Sequence, residues 1–561
     1  QELQAEGSLV PARVSLGAFA MDAFVPLVSP RASTAAQAVR CCSAASTSSC
    51  AQPNLPAFRT AVFCSSAALA WAAFNNRRSR GCRSERNKER RACQVKAVAE
   101  EVERKTATSV AESWFEQCEK ALKGEAMFDD ALAKRGKDLL EDAGLVVPTT
   151  RQEPWRYTNM KALFQTEGLG PVDDAHHDLD IAELTDDMKD SGWWQLVFVD
   201  GCLLEDWQVK PSEACEDVII GGKATLQQAK PSAGADRVPA LLAELPEVDV
   251  FMPENRGAMG SGKLAALNQA SFRDCACVIL PPAADATPEP VNVQVVFISS
   301  GKNAHVTPRV LVDAGAGSHL NLVEIHVSGK EEDTSFSNSL ARVIVAEGAK
   351  VSHDLLQQKG KDSRIVQTLT SEVAESGEYA LKVVQSGARV SRVNASVRLD
   401  GSSSSCDISG VTLADEKQQL DLHTLIHHQV PSCQSSQKQK NLAAGNGECI
   451  FKGSICVDKA AQQTESSQIC RSLLLSKKAQ VKAMPSLQIQ ADDVKCSHGA
   501  TISELDPLEV FYLKSRGLDP KTARNLLLMA YPQDIVAPLK ARTAKGYQRL
   551  SDKLSSLAAA S

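Results

Sequence analysis

The stretch YALKVVQSGARVSRVNASVRLDG, residues 379–401, decides the fold that this sequence predicts. Apolar and polar residues alternate along it, and a Ser-Gly turn divides it into two short runs. Alternation with a period of two is typical of β-strands, because successive side chains of a strand point to opposite faces. The turn motif SGARVS, residues 386–391, returns as EGAKVS at 347–352 and more loosely as KKAQVK at 477–482. Weak repetition of one strand-turn unit predicts stacked rungs, each burying its inner face against its neighbours.

Similar short runs continue from about residue 193 to residue 501, and Gly, Ser, Asn or Asp separates them. The helical intervals that a parallel βαβ sheet requires are missing from the pattern in this range. The sequence therefore predicts a mainly β core. A β-sandwich would give the same pattern of short strands and turns. The repetition favours a solenoid but does not exclude the sandwich.

Both flanks of the β region show helical spacing. Residues 99–145 place apolar residues at helical intervals between charged ones, which predicts two or more helices. Near the C-terminus, Asp-Pro pairs at 506–507 and 519–520 each combine an N-cap residue with a proline at the first helical position. The chain is therefore expected to end in a helical region.

Charge is divided unevenly along the chain. The first 99 of 561 residues contain 13 Lys and Arg but only 5 Asp and Glu, although the whole chain has a net charge of −6. The remainder is therefore acidic, which argues against a nucleic-acid surface. The basic front is rich in Ser, Ala and Thr, with an AFVP box at 23–26 and an apolar segment at 60–74 before an Arg cluster. This order predicts a bipartite plastid-type leader, with a mitochondrial presequence or an N-terminal anchor as the alternatives.

The apolar segment is shorter than the roughly 20 residues that a bilayer span needs. We therefore expect no stable membrane insertion of the mature protein.

Cys496 and His498 stand out in ADDVKCSHGATISELD, residues 491–506. On a strand, residues two apart share a face, so the two side chains would project side by side. Thiolate and imidazole both bind iron or zinc, and Cys470 could add a third soft ligand if its strand neighbours this one. Even three ligands are fewer than the four that a cluster or a structural zinc takes. A metal site here would have to be completed by another subunit, and the ordinary alternative is a buried Cys beside a hydrogen-bonded His.

Other candidate residues carry weaker signals. His423, His427 and His428 lie in the strand-like run DLHTLIHHQVP, and we interpret them as solvent-exposed strand histidines. No H-E-x-x-H, G-x-S-x-G or complete phosphate-loop motif occurs. Asp492 and Asp493 are adjacent and would face opposite ways, so they do not form the paired carboxylates of a glycosidase. A β-helix enzyme acting on polysaccharide is therefore the weaker alternative.

Several longer motifs carry a resemblance to a known family. They are PTTRQEPWRYT, LVFVDG, KLAALNQASFRD, SGARVSR, GECIFKGSICVDKAAQQTESSQICRSLLLSKKAQVKAMPSLQIQADDVKCSHGAT and VFYLKSRGLDPKTARNLLLMA. In these motifs the sequence resembles the SufB/SufD family of the SUF iron–sulfur cluster assembly machinery, and its SufD branch in particular. The resemblance covers roughly residues 149–536 and is most specific in the last hundred of them.

The resemblance implies a right-handed parallel β-helix core flanked by helical N-terminal and C-terminal regions. We accordingly predict a leader over residues 1–96, an N-terminal helical region over 97–190, the β-helix over 191–503 and a SufC-binding helical region over 504–561. It also implies a scaffold subunit that is not itself an enzyme, because ATP hydrolysis in the SUF machinery belongs to SufC. With the leader, it implies a place in the plastid (chloroplast) stroma.

The resemblance further implies two partners. SufD proteins pair with SufB through the β-helix and bind the ATPase SufC through the C-terminal helical region, in an assembly of one SufB, one SufD and two SufC. The KCSHG motif places Cys496 and His498 at the SufB interface, where a transient iron–sulfur cluster shared with SufB would form. His498 is the stronger candidate for a metal ligand.

The resemblance also assigns residues in the C-terminal helices and one departure from the family pattern. The apolar side chains expected to contact SufC are Phe511, Tyr512, Leu526 and Leu527. Cys470 stands where SufD proteins commonly carry Asn and where SufB carries its functional cysteine. It is therefore either a neutral core substitution or an added sulfur acceptor. SufB carries acidic residues around its His, so a SufB-like scaffold subunit is the alternative within the family.

Overall fold

The computed structural model describes residues 109–120, 128–142, 144–165, 179–212, 218–229, 235–245, 259–284 and 288–560. The predicted leader, residues 1–96, lies outside these residues. No helix within the described ranges is both long and apolar enough to cross a membrane.

Twenty strands are the most numerous elements of the described ranges. They are β1 Trp194–Val199, β2 Cys202–Leu203, β3 Ile219–Gly221, β4 Ala276–Leu280, β5 Val291–Ser299, β6 His305–Val306, β7 Arg309–Ala314, β8 His319–Ser328, β9 Phe336–Val345, β10 Lys350–Gln358, β11 Arg364–Val373, β12 Glu378–Gln385, β13 Val390–Leu399, β14 Ser405–Ala414, β15 Gln419–His428, β16 Gln434–Ala443, β17 Glu448–Val457, β18 Thr464–Leu474, β19 Gln480–Ile489 and β20 Val494–Ser503.

The strands form a parallel β-solenoid. Sheet 1 has the order β2-β1-β5-β8-β10-β12-β14-β16-β18-β20, and sheet 2 has the order β19-β17-β15-β13-β11-β9-β7-β4-β3, with β6 beside β9. From β8 onward, consecutive strands alternate between the two sheets, and each pairs in parallel with the strand two positions along the chain. The predicted mainly β solenoid is therefore confirmed, and the β-sandwich alternative is wrong.

Helices precede and follow the strands in the chain, and three of them lie between strands. They are α1 Asp130–Leu140, α2 Met160–Phe164, α3 Ile181–Leu184, α4 Lys223–Gln228, α5 Val238–Ala243, α6 Gly262–Ser271, α7 Pro507–Ser515, α8 Pro520–Ala530, α9 Gln533–Val536, α10 Leu539–Arg542 and α11 Ala544–Ala560, with a further helix over residues 109–120. Single 3-10 turns occupy Glu153–Trp155, Glu205–Trp207 and Ala235–Arg237. The expectation that no helix interrupts the strands from residue 193 is wrong, because α4, α5 and α6 lie between β3 and β4.

The N-terminal region is fastened to sheet 2 by a buried arginine. The guanidinium of Arg392 on β13 lies 3.7 Å from the centre of the Trp155 ring, and its Nη1 donates to the carbonyl oxygen of Pro154 at 2.7 Å. The same guanidinium lies 3.7 Å from the carboxylate of Asp421 on β15. The Arg392 side chain is fully buried. Its contacts with Trp155 and Pro154 therefore hold the segment with the PTTRQEPWRYT motif against the solenoid.

The C-terminal helices divide into a packed part and a projecting part. Leu539 of α10 and Leu550 of α11 belong to the same buried apolar cluster as Val323 and Leu356 on the outer face of sheet 1. In contrast, α7 buries none of its residues. Both predicted N-caps are present, because the side chains of Asp506 and Asp519 accept backbone N–H groups in the first turns of α7 and α8.

The two ends of the solenoid differ. At the N-terminal end, the short antiparallel strands β2 and β3 cover the edges of the two sheets. At the C-terminal end, the sheets finish at β20 and β19, and no other described strand pairs with their outer edges. Solenoids need a cap or a partner at such an end, because the last rung otherwise leaves its inner face and its backbone groups open.

Candidate functional site at the open end of the solenoid

Cys496 and His498 lie on β20, the last strand of sheet 1. In the register of β18 and β20, Cys496 pairs with Ser466 and His498 pairs with Gln468. Ser466 and Gln468 are buried residues of the solenoid interior. The two candidate ligands therefore continue the interior columns of side chains rather than the outer face.

The last rung exposes these columns. On β18, buried and exposed residues alternate from Thr464 to Ser472, whereas on β20 Cys496 is half-buried and His498 is exposed. Cys496 still packs against the main apolar core. A side chain that would be enclosed in any earlier rung is thus open to a partner at this one.

The Cys496 thiol is in its ordinary protonated form before any metal binds. Burial raises its pKa, and a hydrogen bond from the backbone at Ser466 lowers the pKa by less. A metal would therefore have to displace the thiol proton on binding.

Cys470 lies on the neighbouring strand β18, opposite Ala500. Strand geometry puts it roughly 8 Å from His498 and roughly 14 Å from Cys496 between Cα positions, using about 3.3 Å per residue and about 4.8 Å between strands. Its side chain is fully buried, and Asn441 Nδ2 donates to its sulfur at 3.4 Å. Burial raises the pKa of this thiol to about 11. The structure therefore does not bring Cys470 into one ligand set with Cys496.

No group of three or more His, Cys, Asp and Glu side chains in the described ranges is placed to hold a metal ion. The open end therefore offers two candidate ligands from this chain.

Two hydrogen-bonded rows of polar side chains, which no sequence motif indicated, lie beneath these residues. Under His498, Gln468 Nε2 donates to Gln437 Oε1 at 2.6 Å. Under Cys496, the hydroxyl oxygens of Ser466 and Ser435 lie 2.7 Å apart. The only sequence signal for them is the spacing of about 30 residues from rung to rung, which the register of β16, β18 and β20 makes visible.

The histidines of β15 differ from their predicted exposure. His423 and His428 are buried, so the prediction of solvent-exposed histidines is wrong for both. Burial lowers the pKa of both imidazoles, and that of His428 to about 4, which keeps both rings neutral at physiological pH. His427 is half-buried, and its Nε2 lies 3.0 Å from Oδ1 of Asp458. Alternation places His423 and His427 on one face of the strand, but it does not show which face is covered.

The predicted SufC-contacting side chains form an exposed apolar surface on α7 and α8. The exposed fraction is 66% for Phe511, 57% for Tyr512 and 49% for Leu526, whereas Leu527 is half-buried. Leu508 of α7, which was not among the predicted residues, is 74% exposed. Several large apolar side chains exposed on two adjoining helices are typical of an interaction surface.

An open groove of about 820 Å³ follows the outer face of sheet 1 across its later strands. Of its carboxylates, Glu378 is paired with Lys350 at 2.8 Å and Glu465 with Lys495 at 2.6 Å. Asp407 is the remaining carboxylate among the described residues that line the groove. A glycosidase needs two carboxyl groups that act together, so this groove gives no support to the polysaccharide-enzyme alternative.

Comparisons with known proteins agree with this architecture. Residues 297–531 match the family model described as SUF system FeS cluster assembly, SufBD core domain. The chain is 29% identical over 409 residues to "Protein ABCI7, chloroplastic" of Arabidopsis thaliana, which covers 72% of this chain and 81% of that protein. It is 30% identical over 297 residues to an iron–sulfur cluster assembly SufBD family protein of Synechocystis, covering 52% and 65% of the two chains. It is 28% identical over 229 residues to the iron–sulfur cluster assembly protein SufD of Escherichia coli, covering 41% and 54%.

Proposed function

Because the chain belongs to the SufBD family of iron–sulfur cluster assembly proteins, we propose that it is a non-catalytic scaffold subunit of the SUF complex. It pairs with SufB, binds the ATPase SufC and supports cluster formation at the SufB–SufD interface. The observation that carries this proposal is the uncovered last rung, where Cys496 and His498 continue the interior columns of the solenoid.

Pairing with SufB uses the open end of the solenoid. The outer edges of β19 and β20 carry backbone N–H and C=O groups that strands of another chain can satisfy, which is the usual way in which an exposed sheet edge binds a partner. A partner seated there would also cover the half-buried inner face of the last rung. The matching of backbone groups and the burial of apolar surface both favour such a complex.

The cluster is the cargo of this site, and this chain contributes part of its ligand set. Cys496 offers a sulfur ligand and His498 a nitrogen ligand, on one face of one strand. A cluster iron takes four ligands, so SufB and sulfide have to supply the rest. His498 is the stronger ligand candidate, because its imidazole is exposed while Cys496 is partly covered.

Binding of SufC uses the exposed apolar surface of α7 and α8. Phe511, Tyr512, Leu526 and Leu527 form its centre, and Leu508 extends it along α7. Aromatic side chains are frequent hot spots of protein interfaces. ATP hydrolysis is assigned to SufC, and the C-terminal helices that follow this surface pack on sheet 1.

The compartment proposed for this protein is the plastid stroma, with the mitochondrion as the alternative. The composition of residues 1–96 supports a plastid leader, and the Arabidopsis relative is named as chloroplastic. Fusion of residues 1–96 to a fluorescent reporter tests this assignment directly. A SufB-like scaffold subunit remains the alternative role, and the KCSHG motif favours the SufD branch.

The proposal is tested by anaerobic reconstitution of the full chain with SufB and SufC. Wild type is compared with His498→Ala, Cys496→Ala and the control Ser497→Ala, whose exposed side chain lies on the opposite face of β20. We expect all variants to form the complex and only the first two to lose iron and sulfide. Unchanged cluster content in both would contradict the shared site, and failure to form any complex with SufB would contradict the scaffold role.

A further inference from the structure

The interior of the last rungs contains a row of amides that runs toward the open end. Gln437 Nε2 on β16 donates to Thr424 Oγ1 at 2.6 Å, and Gln468 Nε2 on β18 donates to Gln437 Oε1 at 2.6 Å. All three residues are buried, and the register places Gln468 directly beside Gln437. In both glutamines the amide nitrogen donates to a residue that comes earlier in the chain. The amide oxygen is left for a donor on the next rung toward the open end.

The row ends in an unsatisfied acceptor. The Oε1 atom of Gln468 is buried and has no hydrogen-bond partner among the described residues. A buried polar atom without a partner costs free energy comparable to its full desolvation, so such atoms in proteins are usually supplied with a donor. The residue that occupies the next position of the same column is His498.

We infer that Gln468 is the positioning residue of His498: its Oε1 accepts the N–H of one imidazole nitrogen and leaves the other nitrogen free to bind the cluster. This inference rests on the proposed function. The distance is within reach, because Gln437 and Gln468 stand in the same register relation and their side chains meet at 2.6 Å. His498 is exposed, and no other described strand pairs with the outer edge of β20, so its ring has room to turn toward Gln468.

The hydrogen bond has a chemical purpose. A neutral imidazole carries one N–H, and the partner of that N–H decides which nitrogen keeps the lone pair and how the ring is oriented. Metal-binding histidines almost always donate their second ring nitrogen to a carbonyl or carboxylate oxygen, which raises the basicity of the ligating atom. An amide oxygen does this without adding charge to the solenoid interior.

Gly453 on β17 makes the space for this amide. A Cβ atom at position 453 would lie 2.1 Å from Gln468 Nε2 and 2.7 Å from the ring of Phe451. A side chain there would push the Gln468 amide out of its row. The glycine therefore serves the placement of Gln468, and Gly453→Ala provides a second variant that moves the amide without removing it.

The first test reads the tautomer of His498 in the full chain. Histidine-specific ¹⁵N labelling at alkaline pH, where imidazoles are neutral, gives one ring spectrum for each of the 10 histidines. The signals absent from His498→Ala identify this residue. We expect a single tautomer in wild type, and a mixture of both tautomers in Gln468→Leu and Gly453→Ala. A mixture already present in wild type would overturn the inference, even if every variant failed to fold.

The second test measures cluster retention in the anaerobic complex with SufB and SufC. Gln468→Leu is expected to weaken cluster binding by roughly 10-fold or more, the usual effect of losing the partner of a ligating histidine. The control Gln439→Leu removes a buried amide of β16 that bonds Thr412 and Asn441 instead, and it should retain the cluster. If His498→Ala retains the cluster, the ligand role that the proposed function gives to His498 fails, and this inference fails with it. If His498→Ala loses it while Gln468→Leu matches wild type in retention and tautomer, only this inference fails.

Discussion

A buried carboxylate inside the solenoid should make a large and pH-dependent contribution to stability. Glu324 on β8 is fully buried and accepts three hydrogen bonds. Its Oε1 lies 2.7 Å from His326 Nε2 and accepts from Gln367 Nε2 at 2.6 Å, and its Oε2 lies 3.1 Å from His353 Nε2. We expect Glu324→Gln, which keeps the shape but removes the charge, to destabilise the fold.

The magnitude follows from the pKa of Glu324. Burial alone raises this pKa, but the hydrogen bonds and charges of His326 and His353 outweigh burial and lower it from 4.5 to about 2. A depression of this size corresponds to about 3 kcal/mol in the free energy of unfolding. The contribution is fully present above about pH 4.5, where the unfolded carboxyl is ionised, and it is lost as the pH falls toward about 2.

The assay is equilibrium unfolding in urea at pH 7 and pH 3. Glu324→Gln should lose about 3 kcal/mol at pH 7 and less at pH 3. The control Glu378→Gln removes an exposed carboxylate paired with Lys350, and it should cost less than about 1 kcal/mol. A loss below about 1 kcal/mol for Glu324→Gln at pH 7, or a loss that grows on acidification, would refute this reasoning.

Three further predictions concern other parts of the chain. Arg392→Leu removes the guanidinium stacked on Trp155 and leaves the buried carboxylate of Asp421 without its cation. Urea unfolding should show a loss of about 3–5 kcal/mol in the free energy of unfolding, and a loss below about 1 kcal/mol would contradict the anchor. Burial lowers the pKa of Lys359 to about 7. Between pH 7 and 9 this amine should therefore raise the free energy of unfolding of wild type by about 1.4 kcal/mol per pH unit. Lys359→Met should lack that rise. The double substitution Phe511→Ser with Tyr512→Ser should weaken SufC binding at least 10-fold, as measured by calorimetry. It should leave the thermal midpoint of unfolding unchanged, because both side chains are exposed. Unaltered binding would contradict the assigned surface.

The solenoid could be predicted from local pattern because each rung repeats one strand-turn unit. The alternation in residues 379–401 corresponds to β12 and β13, and the Asp-Pro pairs correspond to the N-caps of α7 and α8. These features depend on neighbours within a few positions. The helices α4 to α6 escaped prediction because they are short, and the longest of them is buried on nearly every side and so shows no polar face.

The candidate site was only partly predictable for a different reason. A period of two shows that Cys496 and His498 share a face, but not that this face belongs to the solenoid interior at its last rung. The same limit produced the wrong exposure for His423 and His428. Gln468 lies 30 residues before His498 in the chain, and only the register of β18 and β20 makes them neighbours.

The central claim is that His498 of this chain binds a cluster that SufB completes. The most direct measurement is electron spin echo spectroscopy of the reduced cluster in the complex, with ¹⁵N-histidine incorporated only into this chain. We expect a ¹⁵N coupling in wild type that persists in Ser497→Ala and is absent from His498→Ala. A cluster of normal content without any ¹⁵N coupling from this chain would contradict the claim.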